Sequence, residues 1–223
     1  MLNKKDLATI QKQLTRFDEV REEILSLSRA ATRLAGSTIL DIHRGDLDSA
    51  ANGIAKVEQT LNKIDSLSNH FSEFKTSQGV VVAFQEYVEA TTLRTFAETD
   101  RIPSISELRS DHRSYILGLL DAIGEFRRMA LNCLRRGDVK KAEKLLDGME
   151  GIYDDLQTLD HTSIVPTFRV KMDAARRIIE STRGDVVTEV RRFSLEEALN
   201  RLDKRLGSRS KNLRLTNSSV SNP

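Results

Sequence analysis

The sequence predicts an all-α protein, and three observations carry that expectation. The 223-residue chain holds only three prolines, Pro103, Pro166 and Pro223. It is rich in Leu, Ala, Glu, Lys and Arg, the residues that lose least on entering a helix. Apolar residues recur at three- and four-residue spacing through almost every segment, and the breaks carry glycine, proline or short polar runs. The length suits one domain with a sizeable core and requires no second.

The first helix is expected over about Lys4–Arg44, where Leu7, Ile10, Leu14, Phe17, Val20, Ile24, Leu27, Ala31 and Leu34 make one long stripe. A helix of that length needs partners along its extent, which favours a bundle or an oligomer. The second helix spans about Leu47–Phe71 and the third about Val80–Thr99. After a turn at Asp100–Ser106 come a fourth over about Arg113–Arg136, a fifth over about Val139–Leu159 and a sixth over about Thr167–Arg183, extendable to Arg192. Ser194 and Glu197 have the S-x-x-E spacing of a capping box, which predicts a short seventh helix there. Residues 1–206 therefore read as one helical domain, and the polar, aperiodic stretch 207–223 as a disordered tail.

Three Arg-Gly-Asp tripeptides, at Arg44-Gly45-Asp46, Arg136-Gly137-Asp138 and Arg183-Gly184-Asp185, look like integrin ligands. A helix-ending glycine followed by an N-capping aspartate explains them better: the first two mark tight joints between antiparallel helices, the third a kink or a break. The net charge of +2 neither demands nor excludes an anionic partner, so a nucleic-acid surface would have to be a local patch. Cys133, alone in the chain, excludes an internal disulfide and reads as a small core residue. The start of the chain interrupts its apolar positions with charges, unlike a signal peptide, and no window approaches the roughly 20 apolar residues of a membrane span. A cytoplasmic location is expected.

The chemistry sits in the third and fourth helices. In GVVVAFQEYVEATTLRTF, apolar on nearly every side, Glu86 and Glu89 share a stripe with Val82, Leu93 and Phe96. Two carboxylates on an apolar face repel and are costly to ionise, so they ask for a cation, a shared proton or an arginine. In SYILGLLDAIGEFRRMALNCL, Asp121 and Glu125 lie one turn apart on a stripe with Gly118, Arg128 and Asn132. If the two stripes face each other, four oxygen ligands converge in a set that suits Mg2+ or Mn2+. Against this stands a plainer reading from spacing alone, in which Asp121 and Glu125 lie on a solvated face with Arg128 while Glu86 and Glu89 pair with Arg94 or first-helix arginines. His43, His70, His112 and His161 sit near predicted helix ends without ligand spacing and read as capping or surface residues.

At these residues the chain resembles the translin family, and its catalytic branch, the translin-associated factor X (TRAX) proteins, more than translin itself. Phe84-Gln85-Glu86-Tyr87-Val88-Glu89-Ala90 and Tyr115 through Glu125, continued by Arg128-Met129 and Asn132, carry the resemblance. Ser28-Arg29 and Ile42-His43-Arg44 add weaker similarity, and the whole covers roughly residues 15–190. What the resemblance implies is a seven-helix translin-like subunit that assembles into a hollow octameric barrel with RNA inside. It implies a Mg2+-dependent endoribonuclease acting on single-stranded RNA, with the acidic ligands matching Glu86, Glu89, Asp121 and Glu125. The compact chain lacks the insertion that eukaryotic catalytic relatives carry before the fourth helix and is similar to an archaeal-type, homo-oligomeric version.

On that resemblance, carboxylate-held Mg2+, or Mn2+ in its place, activates water for in-line attack and leaves a 5′-phosphate and a 3′-hydroxyl. Arg29, Arg44 and Arg128 are candidates for phosphate contacts. Single-stranded DNA is a further candidate ligand. Two rival readings remain at this point: a non-catalytic RNA- or DNA-binding scaffold of the translin type, and a coiled-coil-like protein whose partner is another protein.

Overall fold

The computed structural model describes residues 3–69, 71–159, 165 and 167–218, with side chains as far as residue 206. Among the described residues, seven α-helices follow in chain order: α1 (Lys4–Arg44), α2 (Leu47–Ser68), α3 (Gln78–Thr99), α4 (Ile105–Leu108), α5 (His112–Arg135), α6 (Val139–Gln157) and α7 (Phe168–Ser218). A 3-10 turn at Ser72–Thr76 precedes α3, and no strand occurs among the described residues. His70, His161, Pro166 and residues 219–223 lie outside the described residues.

Both helix joints expected from the Arg-Gly-Asp tripeptides form. Gly45 ends α1 at φ 83° and Gly137 follows α5 at φ 76°, a left-handed conformation that glycine reaches without a Cβ penalty. Asp46 then accepts from the Ser49 N–H at 3.0 Å, and Asp138 from the Lys141 N–H at 3.1 Å, each satisfying an orphan donor at the start of the next helix. The chain therefore folds as two helical hairpins, α1–α2 and α5–α6. Between them runs α3, packed against α1, α2 and α5, while α7 lies across α5 and α6. The apolar surround of α3 fits this central place, with Val88 and Leu93 fully buried. Ile24, Ile123, Phe126 and Met149 complete the centre of the core. Each such side chain contributes roughly 1.5–3 kcal/mol through removal from water.

Two expectations are corrected. The sixth and seventh predicted helices are one helix, α7, running unbroken through Gly184 and Ser194. An interior glycine costs only about 1 kcal/mol relative to alanine. The cost is met locally by Thr182 and Val186, both buried, and by ion pairs on either side, Arg183–Glu150 at 2.8 Å and Arg127–Asp185 at 3.3 Å. The same helix is continued by the backbone of 207–218. Second, the S-x-x-E motif that caps a helix is the one at Ser104–Glu107, which starts the short α4 inside the expected turn.

The stripe on α1 also divides. From Val20 onward it is buried or, at Leu27 and Leu34, partly buried, but Leu7, Ile10 and Leu14 stay exposed. On α7, Leu195, Leu199, Leu202 and Leu206 are likewise exposed, at the alternating four- and three-residue spacing of a helix–helix seam. No described helix is long and apolar enough to cross a membrane.

Candidate functional site

Gly118 brings α3 and α5 together. A Cβ built there would lie 2.6 Å from the Gln85 carbonyl oxygen and 2.7 Å from the Val88 Cβ, so only glycine lets the two backbones approach this closely. One turn further along α5 stands Asp121, with Glu125 a turn beyond, facing Glu86 and Glu89 on α3. The end of α1 adds His43, and the first turn of α7 adds Lys171.

Glu89 is the charged side chain among the buried described residues, 8% exposed. Its carboxyl is pushed up to about 8, chiefly by burial and then by the charges of Glu86, Asp121 and Glu125, with Lys171 opposing. Glu86 is raised for the same leading reason, with Asp121 and Glu125 adding and Lys171 again opposing. Glu125 moves the other way: a hydrogen bond with His43 lowers it most, and Arg128, 3.6 Å away, helps. The four predicted carboxylates therefore share one electrostatic site.

Their hydrogen bonding is unequal. Asp121 accepts from Lys171 Nζ on one oxygen and from Gln85 Nε2 on the other. Glu125 meets His43 Nε2, whose ring is 7% exposed and whose buried Nδ1 has no partner among the described residues. No hydrogen bond or ion pair to Glu86 or Glu89 occurs among the described residues. Nor do any three His, Cys, Asp or Glu side chains among them stand as an already formed metal cage. The physical reason is visible in the partners: nitrogen donors hold the two α5 acids, which relieves the repulsion of four like charges. The donor set is nevertheless all carboxylate, the hard oxygen chemistry that Mg2+ and Mn2+ take.

Of the plainer pairings, Arg128–Glu125 forms at 3.6 Å, but none to Glu86 or Glu89 does among the described residues. Arg94 pairs with Glu98 at 2.7 Å and leaves Glu86 and Glu89 alone. Asp121 and Glu125 are 29% and 26% exposed, between core and solvent. Among the candidate phosphate-binding arginines, Arg29 lines a groove of about 400 Å³ between α1 and the start of α3, beside Arg33. Arg44 leans on Asp41 at 3.5 Å. Cys133 is half-buried against the core, and burial raises its thiol.

Sequence reasoning missed His43, Gln85 and Lys171. His43 is corrected from a capping or surface residue to a buried partner of Glu125. It lies four residues after Ile39 and eight after Ala35, on the buried face of α1. Lys171 follows Phe168 by three residues and precedes Ala175 by four, on the apolar stripe of α7. A charge on such a stripe is a signal that a buried partner waits.

Residues 19–181 match the Translin family. An uncharacterized protein of Methanocaldococcus jannaschii is 36% identical over 195 residues, covering 85% of each chain. The Translin-associated protein X of Mus musculus is 22% identical over 201 residues, 69% of this chain and 67% of that one. The Schizosaccharomyces pombe homolog is 22% identical over 199 residues, covering 83% and 84%. Among solved structures, apo-NeC3PO matches with a TM-score of 0.76 at 26% identity, covering 85% of this chain and 98% of that one. The AfC3PO–duplex RNA complex matches with a TM-score of 0.73 at 29% identity, covering 82% and 96%.

Proposed function

Because the chain belongs to the translin family, we propose that it is a nucleic-acid-binding protein of the TRAX type that cleaves single-stranded RNA, in the cytoplasm, inside a hollow homo-octameric barrel. One observation carries the reading: on two crossing helices, Glu86, Asp121 and Glu125 all add to the burial that raises the carboxyl of Glu89, the most buried of the four, to about 8. Such a cluster of four acids, with Glu86 and Glu89 free of any ion pair among the described residues, is costly for a fold to maintain unless a cation or a proton is part of its work.

Glu86, Glu89, Asp121 and Glu125 would hold Mg2+, with Mn2+ as a substitute. When bound, the ion supplies Lewis acidity toward a phosphodiester and lowers the pKa of water. The chain's own residues do the rest. Glu89 holds a proton at its carboxyl near neutral pH and releases it as the site loads. His43 orients Glu125, and Gln85 with Lys171 orients Asp121. Val88 and the apolar wall of α3 limit water. Arg29, Arg44 and Arg128 are the proposed phosphate contacts, Arg29 having no ion pair among the described residues; the products would carry a 5′-phosphate and a 3′-hydroxyl. Single-stranded DNA would bind the same surface. The leucine stripes left bare on α1 and α7 support assembly from several copies.

The non-catalytic scaffold is the second reading, and the ties of Asp121 to Lys171 and of Glu125 to His43, which already engage two of the four acids, favour it. Incubating the protein with a fluorescent, unstructured RNA in Mg2+ or in EDTA separates the two. Endonuclease action predicts cutting that EDTA abolishes. It also predicts that Glu89→Gln stops cutting while RNA binding and assembly persist, because the amide keeps shape and removes a ligand charge. Wild-type protein that binds the RNA in Mg2+ without cutting it establishes the scaffold instead.

A further inference from the structure

Lys171 is the cation that meets Asp121, Glu86 and Glu89, while Arg128 stands at Glu125. It bonds Asp121, and its charge favours ionisation of both Glu86 and Glu89 against the burial and like charges that suppress it. Its place on the chain is otherwise unfavourable: the first turn of α7 points the positive end of the helix dipole at it. The surroundings on α7 are Phe168, Met172 and Ala175, all buried, and the amine's partner lies on α5.

An ammonium at hydrogen-bond distance and a divalent ion at roughly 2.1 Å compete for the same Asp121 lone pairs, and two cations so close repel. Lysine is suited to yield. Its compact charge sits on a four-carbon stem with freely rotating bonds, and this side chain is 28% exposed, which leaves a way out of the cleft. Gln85 on the other Asp121 oxygen is neutral and does not compete by charge.

We propose that Lys171 is a displaceable occupant of the cation position: its ammonium neutralises Asp121, Glu86 and Glu89 until a divalent ion binds, which expels it toward solvent. The inference rests on the metal-binding reading above and adds a competitor within the chain. It makes α7 sensitive to the ion, because the tie between α7 and α5 at this point is exchanged for an ion held by α3 and α5.

Lysine labelling of the intact wild-type protein tests it directly. The rate at which an acetylating reagent modifies each lysine is read by mass spectrometry without and with saturating Mn2+, whose binding is followed separately by calorimetry. Lys144, paired with Asp100 at 2.5 Å well away from the carboxylates, is the internal control. Expulsion predicts that Mn2+ raises Lys171 labelling severalfold and leaves Lys144 unchanged. Lys171→Met should also bind Mn2+ about tenfold more tightly or better, since a competing charge is gone. Mn2+ binding with no change in Lys171 labelling, or with equal or weaker affinity in Lys171→Met, makes Lys171 a static tie and overturns the inference. If calorimetry finds no Mn2+ binding by the wild type, the metal-binding reading fails first and the inference goes with it.

Discussion

Gly118 faces Gln85 so closely that a Cβ on the glycine would stand 2.6 Å from the Gln85 carbonyl oxygen. The obstacle is backbone, which cannot swing aside, and it lies one turn from the acids that the crossing brings together. Gly118→Ala should therefore destabilise the protein by about 1–3 kcal/mol, the usual cost of overpacking. Gly124, on the same helix, has nothing within 4 Å of a built Cβ. Gly124→Ala should stabilise by up to about 1 kcal/mol through helix propensity alone. Urea unfolding of both variants checks the contrast, and equal effects would contradict the close crossing.

Glu89 sets a pH dependence whose sign is definite. Its carboxyl is raised from 4.5 to about 8, so the folded chain binds the proton more tightly than the unfolded chain. The stabilisation from this group is complete below pH 4.5 and disappears as pH rises through about 8. In EDTA, Glu89→Gln should accordingly raise the melting temperature more at pH 9 than at pH 5.5, where wild-type Glu89 is already neutral. Thermal melts at the two pH values decide it; a variant that gains equally at both would show that Glu89 ionises normally.

Metal binding should carry the same signature in reverse. A carboxyl protonated at neutral pH must release that proton to act as a ligand, so affinity rises with pH up to about 8 and then levels. Calorimetric titration with Mn2+ at pH 7, repeated in buffers of different ionisation enthalpy, should report release of about one proton per ion. Glu89→Gln should release none from this position.

Assembly should depend on the leucines of α7. Leu199 and Leu202 are both 57% exposed, on a seam of alternating four- and three-residue steps. Leu199→Glu together with Leu202→Glu adds two charges to that seam without touching the core. Light scattering on the wild type should give about 200 kDa for eight copies of the 25.2 kDa chain, and the double variant should fall to half of that or less. Unchanged mass in the variant would mean that the seam lies outside the subunit contacts.

The S-x-x-E motif shows where local reading ends. Ser104–Glu107 and Ser194–Glu197 have the same spacing, yet only the first caps a helix, with the Ser104 N–H donating to Glu107 at 2.7 Å. Pro103 precedes the first and keeps a preceding helix from running into it, whereas the second lies where α7 is already formed. Similarly, the α1 periodicity marks Leu7 and Val20 alike as apolar stripe, but only Val20 finds a neighbouring helix within the chain.

Helices, their glycine joints and the placing of two acids on each of two stripes were legible in the sequence, because helical hydrogen bonds and side-chain phase depend on residues only three or four positions apart. Which charge answers those acids was not. Asp121 meets Lys171 across 50 residues and Glu125 meets His43 across 82. The choice between cation, proton and neutral donor in a buried site depends on groups brought within a few ångströms by packing, and only the tertiary structure decides that.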